Sequence, residues 1–197
     1  MVEFDPLSYK FPSRRNLVCS SRGMVATSQP LAAQAGLRAM RKGGNAVDAA
    51  VATAASLTVL EPTSNGIGGD AFAQVWFDGN LYGLNGSGPA PGGISAEALK
   101  DKGLEDVPRY GWEPVTVPGA PASWGELTRR FGELTLEDNL EPAVEYAERG
   151  YPIQPTLGKN WKNAFEVFSE LDGREFESWA ETFAPGGNAP EVGEIWS

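Results

Sequence analysis

Thr63-Ser-Asn-Gly-Ile-Gly-Gly-Asp70 is the stretch whose residue types come closest to a ligand-binding loop. Three glycines within residues 66–69 leave the backbone free to approach a phosphate. The surroundings argue against that chemistry. No Lys-Ser or Lys-Thr pair follows the glycines, and the sequence runs on into a strand pattern, whereas phosphate cradles lead into a helix N-terminus. Asp70 would repel an anion. What remains is a turn that needs positive φ and a close backbone approach.

Nucleophilic and metal chemistry are bounded by composition. The 197 residues contain no histidine and a single cysteine, Cys19. A Ser-His-Asp or Cys-His arrangement therefore cannot be assembled from this chain. The commonest zinc ligand is also missing, and one thiolate does not replace it, so no metal site and no cofactor is expected. Any catalytic base is a carboxylate, a lysine, an amine, or a group on another chain. Cys19 lies in Asn16-Leu-Val-Cys-Ser, which reads as a short strand entering the core, where a thiol behaves as a small hydrophobe. A lone cysteine fits a reducing compartment.

The formal net charge of −10 excludes a nucleic-acid partner, because no basic stripe is present to neutralise phosphates. No segment approaches the ~18 apolar residues that span a bilayer, and the polar, proline-interrupted N-terminus lacks the pattern of a secretory signal. The chain is read as soluble and cytoplasmic.

The elements that must position any site follow from caps and periodicity. Gly23–Ser28 reads as a strand ending at a helix cap, with Ser28 as N-cap and Pro30 in the first turn. Gly43-Gly44 terminates that helix. Asn45, with Asp48 three residues on, caps a second helix over residues 46–60 that is apolar on nearly every face and so is buried. Pro62 ends it. Residues 72–77 and 80–84 read as two strands joined at Asp78-Gly79, a hairpin signal. Ser95 caps a short helix through Lys102. Val115–Val117 reads as a strand, residues 122–130 as a helix, Thr135 with Asp138 as the cap of a helix reaching Arg149, and residues 157–171 as a last helix. The tail from Gly173 to Ser197 is broken by Pro and Gly and reads as weakly structured. No repeat or linker divides the chain, and the order of elements is α/β or α+β with a layered core.

Taken in order, Gly23-Met-Val-Ala-Thr27, Gly43-Gly-Asn-Ala-Val-Asp-Ala-Ala50, Glu61-Pro-Thr-Ser-Asn-Gly-Ile-Gly-Gly-Asp-Ala-Phe72, Leu84-Asn-Gly-Ser-Gly-Pro-Ala-Pro91 and Val115-Thr-Val-Pro-Gly-Ala-Pro-Ala-Ser-Trp124 resemble the large subunit of gamma-glutamyltransferases. Pro142-Ala-Val-Glu-Tyr-Ala-Glu-Arg-Gly-Tyr-Pro152 resembles that family's helix and turn. The likeness runs from about Gly23 to the C-terminus. It implies an N-terminal-nucleophile hydrolase, an αββα sandwich of two stacked sheets between helical layers, of which residues 1–197 are the N-terminal part of the large subunit. Residues 1–22 would be an N-terminal extension and 173–197 a loop-rich tail.

The resemblance also implies a precursor that cuts itself into two subunits and frees a threonine at a new N-terminus. That threonine attacks a γ-glutamyl amide, with its own α-amine as base. This would account for a chain without histidine. The nucleophile is expected beyond Ser197, so Thr27, Thr63 and Thr116 are read as strand or turn residues and no catalytic residue is assigned in this chain. The partners implied are the remainder of the large subunit, the small subunit, and a small γ-glutamyl or acyl amide. A homo-oligomer is left open.

One departure bears on substrate. The family's arginine for the α-carboxylate of the γ-glutamyl group aligns with Ser87. Losing a bidentate Arg–carboxylate pair costs about 1.5–3 kcal/mol, roughly ten- to a hundredfold in affinity. Either another basic residue such as Arg109 reaches the carboxylate, or the substrate is not a γ-glutamyl compound and the chain resembles the cephalosporin-acylase branch. The expected reading is a γ-glutamyltransferase-like protein of altered specificity, with the acylase branch as its alternative. The plain alternatives are a ligand-free turn residue for Ser87 and a surface salt bridge for Arg109. A non-catalytic scaffold or binding domain that kept the fold is the rival from another class.

Overall fold

The computed structural model describes residues 18–197. The order of elements is α1 (Pro30–Arg41), α2 (Ala46–Leu60), β1 (Ala71–Phe77), β2 (Asn80–Gly86), α3 (Ala96–Asp101), α4 (Ala120–Phe131), α5 (Leu136–Arg149), β3 (Tyr151–Pro152), α6 (Pro155–Phe168), α7 (Glu177–Phe183) and β4 (Ile195–Trp196). The class is mixed α/β, as expected.

Helix α2 is the centre of the arrangement. Asn45 accepts the amides of Val47 and Asp48, and Asp48 answers by accepting the amide of Asn45, so the capping box is complete. Alanines keep the helix thin enough to be covered on several sides. α1, α4 and α5 pack against it. The inward residues of the hairpin, Ala71, Ala73, Val75, Tyr82 and Leu84, pack on the cluster that holds Val47, Val51 and Ala55. At the crossing with α1, a Cβ on Gly36 would meet Thr53 Oγ1 at 2.3 Å, so only glycine lets the two helices come this close.

The hairpin forms as the sequence indicates. β1 and β2 are antiparallel, in a register that runs from Ala71 opposite Gly86 to Phe77 opposite Asn80. Asp78 and Gly79 both have positive φ, 52° and 78°, which is the two-residue turn that matches strand twist. The outward side chains Phe72, Trp76 and Leu81 are exposed.

Three expected strands do not appear among the described residues. Residues 24–28 alternate in burial, but none of them makes a backbone–backbone hydrogen bond among the described residues. Val115–Val117 contributes only one bond of ladder type, from the Val117 amide to the Pro89 carbonyl at 3.0 Å. A strand needs a second strand beside it, and the described residues supply none in either place. Of Asn16-Leu-Val-Cys-Ser, residues 16–17 lie outside the described residues, 18–20 are not a strand, and Cys19 is exposed rather than entering the core.

The caps needed smaller corrections. Gln29, not Ser28, caps α1, because Pro30 begins the helix and the residue just before it takes the cap. Ser28 instead donates to Glu61 Oε2 at 2.8 Å. α4 starts at Ala120 rather than 122, and α6 covers Pro155–Phe168 rather than 157–171. Within the tail, α7 and β4 form. β4 pairs antiparallel with β3. Trp161 anchors this end: it is 1 % exposed, donates from Nε1 to the Phe183 carbonyl at 2.8 Å, and meets the rings of Phe183 and Trp196 edge-on.

Candidate functional site

Three loops converge at the N-terminus of α4. The first is the turn 61–70 after α2. Its Gly69 carbonyl accepts the amides of Gly119 at 3.0 Å and Ala120 at 3.1 Å. The loop's carbonyl thus satisfies two amides at the start of α4, and the glycine-rich turn caps that helix. None of Gly66, Gly68 and Gly69 has positive φ, and a Cβ on any of them would meet nothing closer than 3.4 Å, so the expected left-handed turn with close backbone approach is not what these glycines supply.

The second and third loops, 86–91 and 115–121, interlock through glycines. A Cβ on Gly86 would lie 1.9 Å from Ser123 Oγ, one on Gly88 would lie 1.8 Å from the Val117 carbonyl oxygen, and one on Gly119 would lie 2.0 Å from the Gly86 carbonyl oxygen. Gly88 also has φ +74°. No side chain fits at any of the three without moving backbone. Ser123, buried on α4, donates from Oγ to the Gly119 carbonyl at 2.8 Å and fixes the first turn.

Ser87 sits on this corner. It is exposed, its amide donates to Asn85 Oδ1 at 3.0 Å, and its carbonyl accepts Thr116 Oγ1 at 3.4 Å. It lines an open cavity of about 650 Å³ with Asn85, Pro89, Val117, Ala122 and Glu126 among its neighbours. Glu126 is the charged side chain in that lining. Arg129 takes its carboxylate with two bonds, 3.0 Å from Nε and 2.8 Å from Nη2, and holds it below the usual carboxylate range.

Arg109 is not brought to Ser87. It is exposed, does not line the cavity, and places its guanidinium 5.4 Å from the centre of the Tyr110 ring. It makes no salt bridge among the described residues. Sequence reasoning passed over Ser123 and Glu126. Both stand on α4, three positions apart and following Gly119, so the helical period could have pointed to them.

No helix among the described residues is long and apolar enough to cross a membrane.

The gamma-glutamyltranspeptidase family model matches residues 32–197. The chain is 34 % identical over 180 residues to the glutathione hydrolase-like YwrD proenzyme of Bacillus subtilis (strain 168), covering 90 % of this chain and 33 % of that protein. It superposes on the crystal structure of cephalosporin acylase from Bacillus halodurans with TM-score 0.91 and 60 % identity, over 99 % of this chain and 37 % of that one. For the gamma-glutamyltranspeptidase of Helicobacter pylori the TM-score is 0.82 at 27 % identity, over 92 % of this chain and 52 % of that one. The chain therefore spans about a third of the curated relative's length. With the ordered motifs, the interlocked glycine corners and this match over most of the chain, the chain belongs to the gamma-glutamyltranspeptidase family.

Proposed function

We propose that the polypeptide carrying this chain is a self-processing enzyme that cleaves or transfers an acyl group from an amide. The nucleophile is an N-terminal threonine outside the chain. In the first step its hydroxyl oxygen bonds to the amide carbonyl carbon, its proton passes through the α-amine to the leaving nitrogen, and the C–N bond breaks. Water or an acceptor amine then takes the acyl group from the ester. The present chain builds one wall of the acyl pocket, at Ser87, and much of the scaffold. Its partners are the rest of the precursor and a small amide substrate, and a cytoplasmic location belongs to the same proposal.

The observation that carries this reading is the corner at residues 86–88. Gly86 and Gly88, with Gly119 packed against them, hold Ser87 in the lining of a cavity, at the position the family resemblance gives to the carboxylate-gripping arginine. Its lining also favours one branch. The charge that the described residues offer there is Glu126, and Arg109 stands elsewhere. This supports the acylase-like reading, an acyl group not gripped through an α-carboxylate at residue 87, over γ-glutamyl transfer. The 60 % identity to a cephalosporin acylase supports the same branch. The test is the activity of the complete polypeptide on γ-glutamyl-p-nitroanilide beside glutaryl and simple acyl amides. The reading requires glutaryl or simple acyl amides to be preferred, and a clear preference for the γ-glutamyl compound would overturn it.

A further inference from the structure

Asp48 is an ionisable group with no exposed surface, and the reaction proposed above does not use it. Its carboxylate accepts four hydrogen bonds from three places in the chain. Oδ2 takes the amides of Asn45 and Glu133, both at 2.9 Å. Oδ1 takes the Leu134 amide at 3.3 Å and Asn139 Nδ2 at 3.0 Å. Only the first belongs to the local capping box. The other three reach across 85 to 91 positions to the α4–α5 turn and to α5. The turn is shaped around the carboxylate: a Cβ on Gly132 would fall 2.7 Å from Asp48 Oδ1, and one on Gly44 would fall 2.9 Å from Asp48 Cβ.

We propose that Asp48 is an acid-release latch, whose ionised carboxylate fastens the α4–α5 turn to the start of α2 and whose protonation unfastens it.

The donors are three backbone amides and a carboxamide, all neutral, so the attachment depends on the charge of Asp48 itself. A protonated carboxyl is a poorer acceptor and adds a donor that faces other donors. The charged side chains on the elements packed around it point to other work. Glu133 is exposed, Asp138 of α5 engages Lys42 at the end of α1, and Arg129 of α4 engages Glu126. Burial pushes the Asp48 carboxyl up, but the bonds from Asn139, Glu133, Asn45 and Leu134 together outweigh it and hold the group below its ordinary range. A depressed carboxylate contributes stability that is fully present above the unfolded value and lost as pH falls through the folded one. Release therefore belongs on the acid side of about pH 4. Because α4 also carries Ser123 and is capped by Gly119, the latch ties acid stability to the cavity corner.

The test is hydrogen–deuterium exchange by mass spectrometry on the complete polypeptide, following the peptide over residues 131–136 from pH 7 to pH 3, corrected for intrinsic exchange. The wild type is expected to lose protection there in one acid transition. Asp48→Asn is expected to expose the same peptide at pH 7, with exchange faster by about ten- to a hundredfold. Should that variant not fold, Asn139→Ala removes one donor to the carboxylate and is expected to move the acid transition toward neutral pH. Arg149→Gln, which alters only a surface pair with Glu145 at the far end of α5, is expected to leave it in place. An Asn139→Ala transition at the wild-type pH, or one moved equally by Arg149→Gln, overturns the latch.

Discussion

Gly88 and Val117 approach each other more closely than a side chain at residue 88 would allow: a Cβ on Gly88 would stand 1.8 Å from the Val117 carbonyl oxygen. This approach joins the loop after the hairpin to the loop before α4 and sets the position of Ser87 between them. Gly88→Ala must displace that carbonyl and also accept φ +74°. We expect a loss of about 2–4 kcal/mol, from left-handed strain plus overpacking. A Cβ on Gly92 would meet nothing within 4 Å and its φ is not positive, so Gly92→Ala is the control and is expected to be near neutral. Denaturant unfolding of both variants measures the difference, and equal effects would show that the corner is not tightly built.

Ser87→Arg tests what this corner selects. If residue 87 faces the acyl group, a new guanidinium there grips an α-carboxylate. The ratio of kcat/KM on γ-glutamyl-p-nitroanilide to that on a simple acyl anilide is then expected to rise by about ten- to a hundredfold. An unchanged ratio, in a variant that still processes itself, would place residue 87 away from the substrate.

Tyr151 predicts a limit on the alkaline side. Its side chain is buried, its hydroxyl has no partner among the described residues, and burial raises its ionisation well above the usual tyrosine range. A group raised on folding contributes stability that is present below the unfolded value, about pH 10, and is lost as pH rises toward the folded one. Thermal unfolding temperature is expected to fall above pH 10 in the wild type, and to fall less in Tyr151→Phe. At pH 7 the variant should match the wild type, since it removes a hydroxyl with no protein partner.

Trp161→Ala is expected to cost about 3–5 kcal/mol, the range for a large buried aromatic. It also removes the bond to the Phe183 carbonyl and the ring packing on Trp196. Limited proteolysis should then cut first within residues 177–197. Cleavage elsewhere, with the tail still protected, would contradict Trp161 as its anchor.

Local chemistry was the legible part of the sequence. Asn45 with Asp48 and Thr135 with Asp138 announced two capping boxes, and both are present. Asp78-Gly79 announced the hairpin. What could not be read depended on partners distant in sequence. Residues 23–28 and 115–117 have strand composition, but a ladder needs a paired strand: no backbone bond reaches 24–28 among the described residues, and 115–117 meets only the loop at Pro89 through a single bond of ladder type. The same limit hid the wider role of Asp48: the capping box was visible, the reach to Glu133, Leu134 and Asn139 was not. At the candidate site, Ser87 was singled out because an ordered set of motifs gave it an aligned role. Glu126 looked like one more surface acid on an amphipathic helix until α4 was set against the loop 86–88.

Self-processing is tested most directly by following the complete polypeptide after purification, by intact mass and by sequencing of the new N-terminus. One chain is expected to become two with time, the second beginning with threonine, and amide-cleaving activity is expected to appear as the cut form accumulates. A polypeptide that stays whole and inactive through long incubation, though folded, would contradict the proposed function.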